Sequence, residues 1–148
     1  MEVKIYTDGA CIGNPGPGGW AAIILIDNKK EEIFGGEKLT TNNRMELTAA
    51  IKALEHCVSA DGSQPSLKQI KIYTDSSYVK DGITNWINNW EKNNWKTADK
   101  KNVKNVDLWK KLKELIQSNQ VEWNWIKGHS KDPMNDLADE LAKKATPV

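Results

Sequence analysis

Four acidic residues, Asp8, Glu46, Asp75 and Asp139, are placed where they could act together. Two of them close the same five-residue string, KIYTD, which occurs at 4–8 and again at 71–75. Ile, Tyr and Thr favour strands, and an aspartate often follows one. The more demanding explanation is that two strands deliver two carboxylates to one place. Converging carboxylates repel and raise one another's pKa values. Divalent cations relieve that repulsion. Oxygen donors with neither Cys nor clustered His suit Mg²⁺ or Mn²⁺ and not zinc. His129, in the loop sequence KGHS, is a candidate proton carrier.

Helix geometry narrows the choice of acids. At about 100° per residue, the apolar residues of a helix over 41–59 fill one arc that includes Leu47, Ala50, Ala53, Leu54 and Cys57. Glu46 falls inside that arc, whereas Lys52 and Glu55 fall outside it. A carboxylate on a buried face needs a partner. The wheel alone leaves two readings open: a metal ligand, or a capping box Asn43-x-x-Glu46 in which Glu46 reaches back to a backbone N–H. The meeting of Asp8 and Asp75 favours the ligand. In a final helix over 135–145, Asp139 and Asn135 lie on one edge of the arc of Leu137, Ala138, Leu141 and Ala142. Asp136 lies nearly opposite, so Asp139 is the preferred fourth carboxylate. Acids near a helix start also simply complement its dipole.

These residues require a particular set of elements. Period-two alternation predicts a strand over 3–8, then a glycine- and proline-rich turn over 13–19 and strands over 20–26 and 32–37. The helix over 41–59 follows, then a loop over 61–66, a strand over 69–74 and helical patterns over 76–90. The stretch 91–102 is polar and irregular. A helix over 103–118, a strand over 121–126, a loop over 128–133 and the last helix complete the chain. Strands joined by helical crossovers predict that strands one, four and five run parallel, with the meander continuing on one side. Sites in such sheets form at the carboxyl ends of strands, where Asp8 and Asp75 fall.

Composition sets the outer bounds. A chain of 148 residues suits one domain, 1–148. Mean hydropathy is -0.65, and no apolar run approaches a membrane span. No signal peptide and no disulfide framework is legible, which predicts a reducing, cytoplasmic setting. Net charge is +1, yet eight lysines face two acids between Lys92 and Lys113. Trp86, Trp90, Trp95 and Trp109 interleave with that stripe, which includes Lys96, Lys100 and Lys101. Lysines neutralise phosphates and aromatic faces stack on bases or sugars, although a solvated face and core tryptophans account for the same pattern. The segment GNPGPGG has neither a phosphate-loop nor a dinucleotide signature. An acidic metal site beside a basic stripe suggests phosphodiester hydrolysis with two metals.

The strings TDGACIGNPGPGGW, TTNNRMEL, YTDSSYV, NWKTADKKNVKNVDLWKKL and WIKGHSKDPMNDLADELA, collinear over essentially the whole chain, resemble bacterial type I ribonuclease H. The resemblance implies an α/β fold: a five-stranded mixed sheet in the order 3-2-1-4-5, flanked by helices and carrying a basic protrusion. It implies endonucleolytic cutting of the RNA strand of an RNA–DNA hybrid, with two Mg²⁺ ions, leaving 5′-phosphate and 3′-hydroxyl ends. The family's four carboxylates match Asp8, Glu46, Asp75 and Asp139, and its loop histidine matches His129. Its RNA-reading positions match Asn14 and Asn42, beside Gly9, Cys11 and Asn43. Thr41, Arg44 and Asn105 resemble phosphate-contacting positions on the DNA side, and Trp86 an aromatic of the DNA channel. Ser77 stands where many members have Gln, which bears on one minor-groove contact. Lys131 stands where glycine often follows the histidine by two, which bears on that loop. No N-terminal hybrid-binding module is legible, and a monomer is the default expectation. The alternatives are a non-catalytic hybrid-binding module, for which a lost carboxylate would speak, and a strand-transfer nuclease, which would need further DNA-binding domains.

Overall fold

Alternation in the first strand decides what the sheet buries. In β1 (Glu2–Cys11), Val3, Ile5 and Thr7 point to one face and are buried. β1 pairs antiparallel with β2 (Gly16–Ile26), which pairs antiparallel with β3 (Lys29–Thr40). On its other side β1 pairs in parallel with β4 (Gln69–Thr74), and β4 with β5 (Gln120–Trp125). The order is β3-β2-β1-β4-β5, as the sequence implies. The computed structural model describes residues 2–26, 29–61, 69–97, 99–117, 120–126 and 132–147.

The two sheet faces have different covers. α1 (Asn42–Asp61) buries Leu47, Ala50, Ala53, Leu54 and Cys57 against Val3, Ile5, Ala22, Ile24, Ile70 and Ile72. The intervening residues Ala21 and Ile23 are also fully buried and face the opposite side. There α5 (Pro133–Ala145) packs, with Ala138 and Ala142 buried. α4 (Val106–Gln117) sits on the α1 side and contributes Trp109 and Leu112 to the core. Burying the whole Trp109 indole, roughly 200 Å², stabilises this packing by about 5 kcal/mol.

The run expected to be helical over 76–90 is divided. α2 (Ser77–Asp81) gives way to a π-helical turn (Gly82–Trp86) and then α3 (Ile87–Lys92). The turn lies hard against the core: a Cβ on Gly82 would sit 2.0 Å from the Trp109 ring. Trp109 is fully buried and Trp90 packs on the core, whereas Trp86 is exposed. Two of the three helical tryptophans are therefore packing residues.

Other boundaries moved for local reasons. β2 begins at Gly16, inside the stretch expected to be a turn, with a register shift between Gly16 and Gly18. β3 extends from Lys29 to Thr40 because it stays paired with β2 along most of its length. α4 starts at Val106, not at 103. Asn105 has φ 60° and the Val103 amide is bonded to the Trp95 carbonyl, so neither continues a helix. Lys96 and Asn102 form a single antiparallel bridge within the lysine-rich segment.

Candidate active site

Asp8 lies near the carboxyl end of β1, and Asp75 directly follows β4. The in-register parallel pairing, with Tyr6 opposite Tyr73, brings the ends of the two KIYTD strings side by side. Below the aspartates the two tyrosine rings stack, centroids 4.7 Å apart. Glu46 arrives from α1, and Gly9 is what admits it. A Cβ there would lie 2.6 Å from the Glu46 nitrogen and 2.8 Å from the Met45 carbonyl carbon. Ligand oxygens of Asp8, Glu46 and Asp75 all fall within 4.8 Å of one another. Asp139 enters from α5, hydrogen-bonds to Asp8, and carries an ion pair to Lys143 at 2.9 Å.

The cap of α1 resolves the alternative reading of Glu46. Thr41 Oγ1 accepts from the Arg44 amide at 3.2 Å, so Thr41 and not Asn43 caps the helix. The Asn42 amide donates to Asn14 Oδ1 at 2.9 Å. Glu46 is buried, and its Oε1 has no hydrogen-bond partner among the described residues.

Electrostatics follow from this crowding. Burial first, then the Asp139 hydrogen bond and the charges of Asp75 and Asp139, push the Asp8 carboxyl up to about 8. Burial also raises Glu46 well above its ordinary range, with Asp8 and Asp75 adding to the effect. The Gly9 backbone hydrogen bonds oppose both shifts. A buried carboxylate oxygen without a partner, in an all-oxygen donor set, fits a divalent cation and does not fit a purely structural ion pair. The carboxylates line a cleft of about 380 Å³ together with Gly9, Asn42, Asn43, Ser77 and Tyr78.

Around this centre the remaining candidates separate. Cys11 is half-buried, with Sγ 3.5 Å from the Thr40 carbonyl. Arg44 forms a two-point ion pair with Asp107, at 3.1 and 2.8 Å, and donates to Asn105 Oδ1 at 3.2 Å. The Asn105 amide and the Trp109 indole N–H both donate to the Tyr78 hydroxyl, at 3.1 and 3.0 Å. Trp86 packs edge-on to Tyr78 with centroids 5.9 Å apart. Lys96 and Lys100 border a separate hollow of about 440 Å³, and Lys101 pairs with Asp99 at 3.8 Å. His129 and Lys131 lie outside the described residues.

The family model described as RNase H matches residues 1–146. The chain belongs to the RNase H family. A Ribonuclease H of Maricaulis maris is 56% identical over 142 residues, covering 96% of this chain and 91% of that one. A Ribonuclease H of Alcanivorax borkumensis is 56% identical over 143 residues, covering 97% of this chain and 90% of the other. Among solved structures, a type 1 RNase H with the type 2 active-site motif superposes with a TM-score of 0.85 at 29% identity, covering 98% of this chain and 72% of that chain. An RNase H1 solved in complex with an RNA/DNA hybrid shares the fold at a TM-score of 0.75 and 23% identity, covering 97% and 96% of the two chains.

Reasoning from the sequence of this RNase H missed Tyr78, which borders the cleft, and Asp107, which pairs with Arg44. Tyr78 follows Ser76, which caps α2 by accepting from the Val79 amide at 3.2 Å. The signal was present, since a serine directly after a strand-ending aspartate predicts a helix whose first turn borders the site. α5 starts at Pro133, two residues before the start expected at 135, although the signal for it was present. Asp132 caps it, accepting from the Met134 amide at 2.9 Å, with Pro133 at the first helical position. Asp107 had no local signal, because its partner Arg44 is 63 residues away.

Proposed function

We propose that this RNase H cuts the RNA strand of an RNA–DNA hybrid at the carboxylate cleft, holding two Mg²⁺ ions with Asp8, Glu46, Asp75 and Asp139. The observation that carries this reading is the cluster of Asp8, Glu46 and Asp75, with the Glu46 Oε1 buried and without a partner among the described residues. When bound, the cations supply an activated water for attack on phosphorus and stabilise the leaving oxygen. Attack by water breaks the bond from phosphorus to O3′, leaving a 5′-phosphate and a 3′-hydroxyl. The leaving O3′ must gain a proton, and His129 is the residue assigned to that transfer or to product release.

The protein's other residues set which strand enters. Asn14 uses its Oδ1 on the Asn42 amide, which leaves its amide N–H groups and the Asn42 side chain to meet ribose hydroxyls. Gly9, Asn42, Asn43 and Ser77 border the same cleft, and Cys11 lies further along β1. Thr41, Arg44 and Asn105 are assigned to DNA phosphates, and Trp86 to the DNA sugar face. Lys96, Lys100 and Lys101 add long-range attraction for the duplex. The enzyme is expected to work as a monomer. No helix of the described residues is long and apolar enough to cross a membrane.

The test uses one labelled RNA, presented alone, as RNA duplex and as RNA–DNA hybrid, with Mg²⁺ and with EDTA. The hybrid alone is cut, only with metal, and Asp8→Asn binds hybrid without cutting it. Near-normal cleavage by Asp8→Asn would overturn the metal-site assignment. Tight binding by the unaltered protein without cleavage would favour the binding-module reading.

A further inference from the structure

Arg44 is spoken for on one side only. Its Nη1 donates to Asp107 Oδ1 and to Asn105 Oδ1, and its Nη2 donates to Asp107 Oδ2. A guanidinium has five N–H groups in a rigid plane. The Asp107 pair occupies the end-on edge, and the Asn105 bond takes the remaining Nη1 proton. The Nε–H and the second Nη2–H form the other edge, and no described residue takes them. That edge is a complete two-point donor, the geometry that matches phosphate oxygens. The side chain is 34% exposed, and Nε is not among the buried polar atoms that lack a partner, so this edge is accessible to a ligand.

Asp107 and Asn105 are placed to hold this arrangement. Asp107 sits in the first turn of α4, beyond the left-handed Asn105. Asn105 is tied through Tyr78 to the buried Trp109. Asn105 is thereby anchored to the core, while the exposed Asp107 carboxylate in the first turn of α4 holds the guanidinium end-on through two hydrogen bonds. The Arg44 hydrogen bond also holds the Asp107 carboxyl below its usual range, so the pair stays ionised at neutral pH. The negative charge of Glu37 also favours the charged form of Arg44.

We propose that Asp107 is a positioning residue for hybrid recognition: it fixes Arg44 end-on so that the Nε–Nη2 edge is presented to a backbone phosphate. The inference rests on the hybrid-cutting reading above and adds a residue that acts only through Arg44. It also has an unusual consequence of sign. A carboxylate near a phosphate should repel it, so its removal ought to help binding; with Arg44 in place, its removal harms binding.

A double-mutant cycle separates these effects. Dissociation constants for a fluorescein-labelled RNA–DNA hybrid are measured by anisotropy in EDTA for the unaltered protein, Arg44→Ala, Asp107→Asn and the double variant. Arg44→Ala weakens binding by roughly tenfold and lowers the salt slope by about one. Asp107→Asn weakens it by about threefold in the native background. In the Arg44→Ala background the same substitution leaves binding unchanged or tightens it. Weakening by the same factor in both backgrounds would assign Asp107 a general role in α4 stability and overturn the proposal. Tightening in both would make Asp107 a competitor of phosphate, which also overturns it. Cleavage of the same hybrid in Mg²⁺ by the unaltered protein is the control: its failure would count against the functional reading, separately from the cycle.

Discussion

Replacing Asp8 by Asn should make the metal-free protein more stable. Burial and neighbouring carboxylates move the Asp8 carboxyl from 3.8 to about 8. Between those values the folded state holds a proton that the unfolded state has released. This group's contribution to stability is therefore greatest below about pH 4, declines as pH rises toward 8, and its cost is complete only above 8, where both states are ionised. At about 1.4 kcal/mol per pH unit, the interval from 3.8 to pH 7 amounts to about 4 kcal/mol. Asparagine keeps the shape and removes the charge, so Asp8→Asn recovers up to that amount at pH 7, slightly more at pH 8 and almost nothing at pH 4. Urea unfolding in EDTA at pH 4, 5.5, 7 and 8 reads it directly, as a midpoint difference that widens with pH at constant m-value. A variant no more stable than the unaltered protein at pH 8 would refute the argument. So would a gain that is the same at every pH, since it would have some other origin than ionisation. Added Mg²⁺ should narrow the difference, because binding to the folded unaltered protein offsets the repulsion.

Two further outcomes are expected. Gly9→Ala places a methyl 2.6 Å from the Glu46 nitrogen, so α1 must withdraw from β1; stability falls by about 1–3 kcal/mol and cleavage falls more than the folded fraction does. Normal cleavage by a folded Gly9→Ala would show that the close approach is dispensable. Replacing Lys96, Lys100 and Lys101 together by Ala raises KM for hybrid and flattens the salt dependence by up to about 2.7 in log–log slope; an unchanged slope would reduce the stripe to a solvated face.

What could be read in the sequence was whatever depends on periodicity. Glu46 on the buried arc of α1 and Asp139 on the edge of α5 follow from about 100° per residue, and the structure places both at the cleft. Sheet order followed from strands alternating with crossovers. What could not be read depends on contacts between distant segments. Arg44 and Asp107 meet across 63 residues, and no local pattern encodes that pairing. The π-helical turn at Gly82–Trp86 lies against Trp109 from another helix, so its period was set from outside. The early start of β2 at Gly16 reflects pairing with β3, where Gly16 faces Thr40.

The two KIYTD strands lie abreast, Lys4 by Lys71, Ile5 by Ile72 and Tyr6 by Tyr73. Seen as a problem of heredity, this register makes the gene far less tolerant of length changes than of substitutions. Side chains alternate between faces along a strand, so inserting or deleting one codon at the start of either string slips the whole string by one place and turns its aspartate to the opposite side of the sheet. The hydrophobic residues would turn with it, toward water. Many single replacements in these strands would weaken the protein and leave a working cleft. A one-residue slip would remove core and chemistry together, so length in these two strands should be held more strictly than identity.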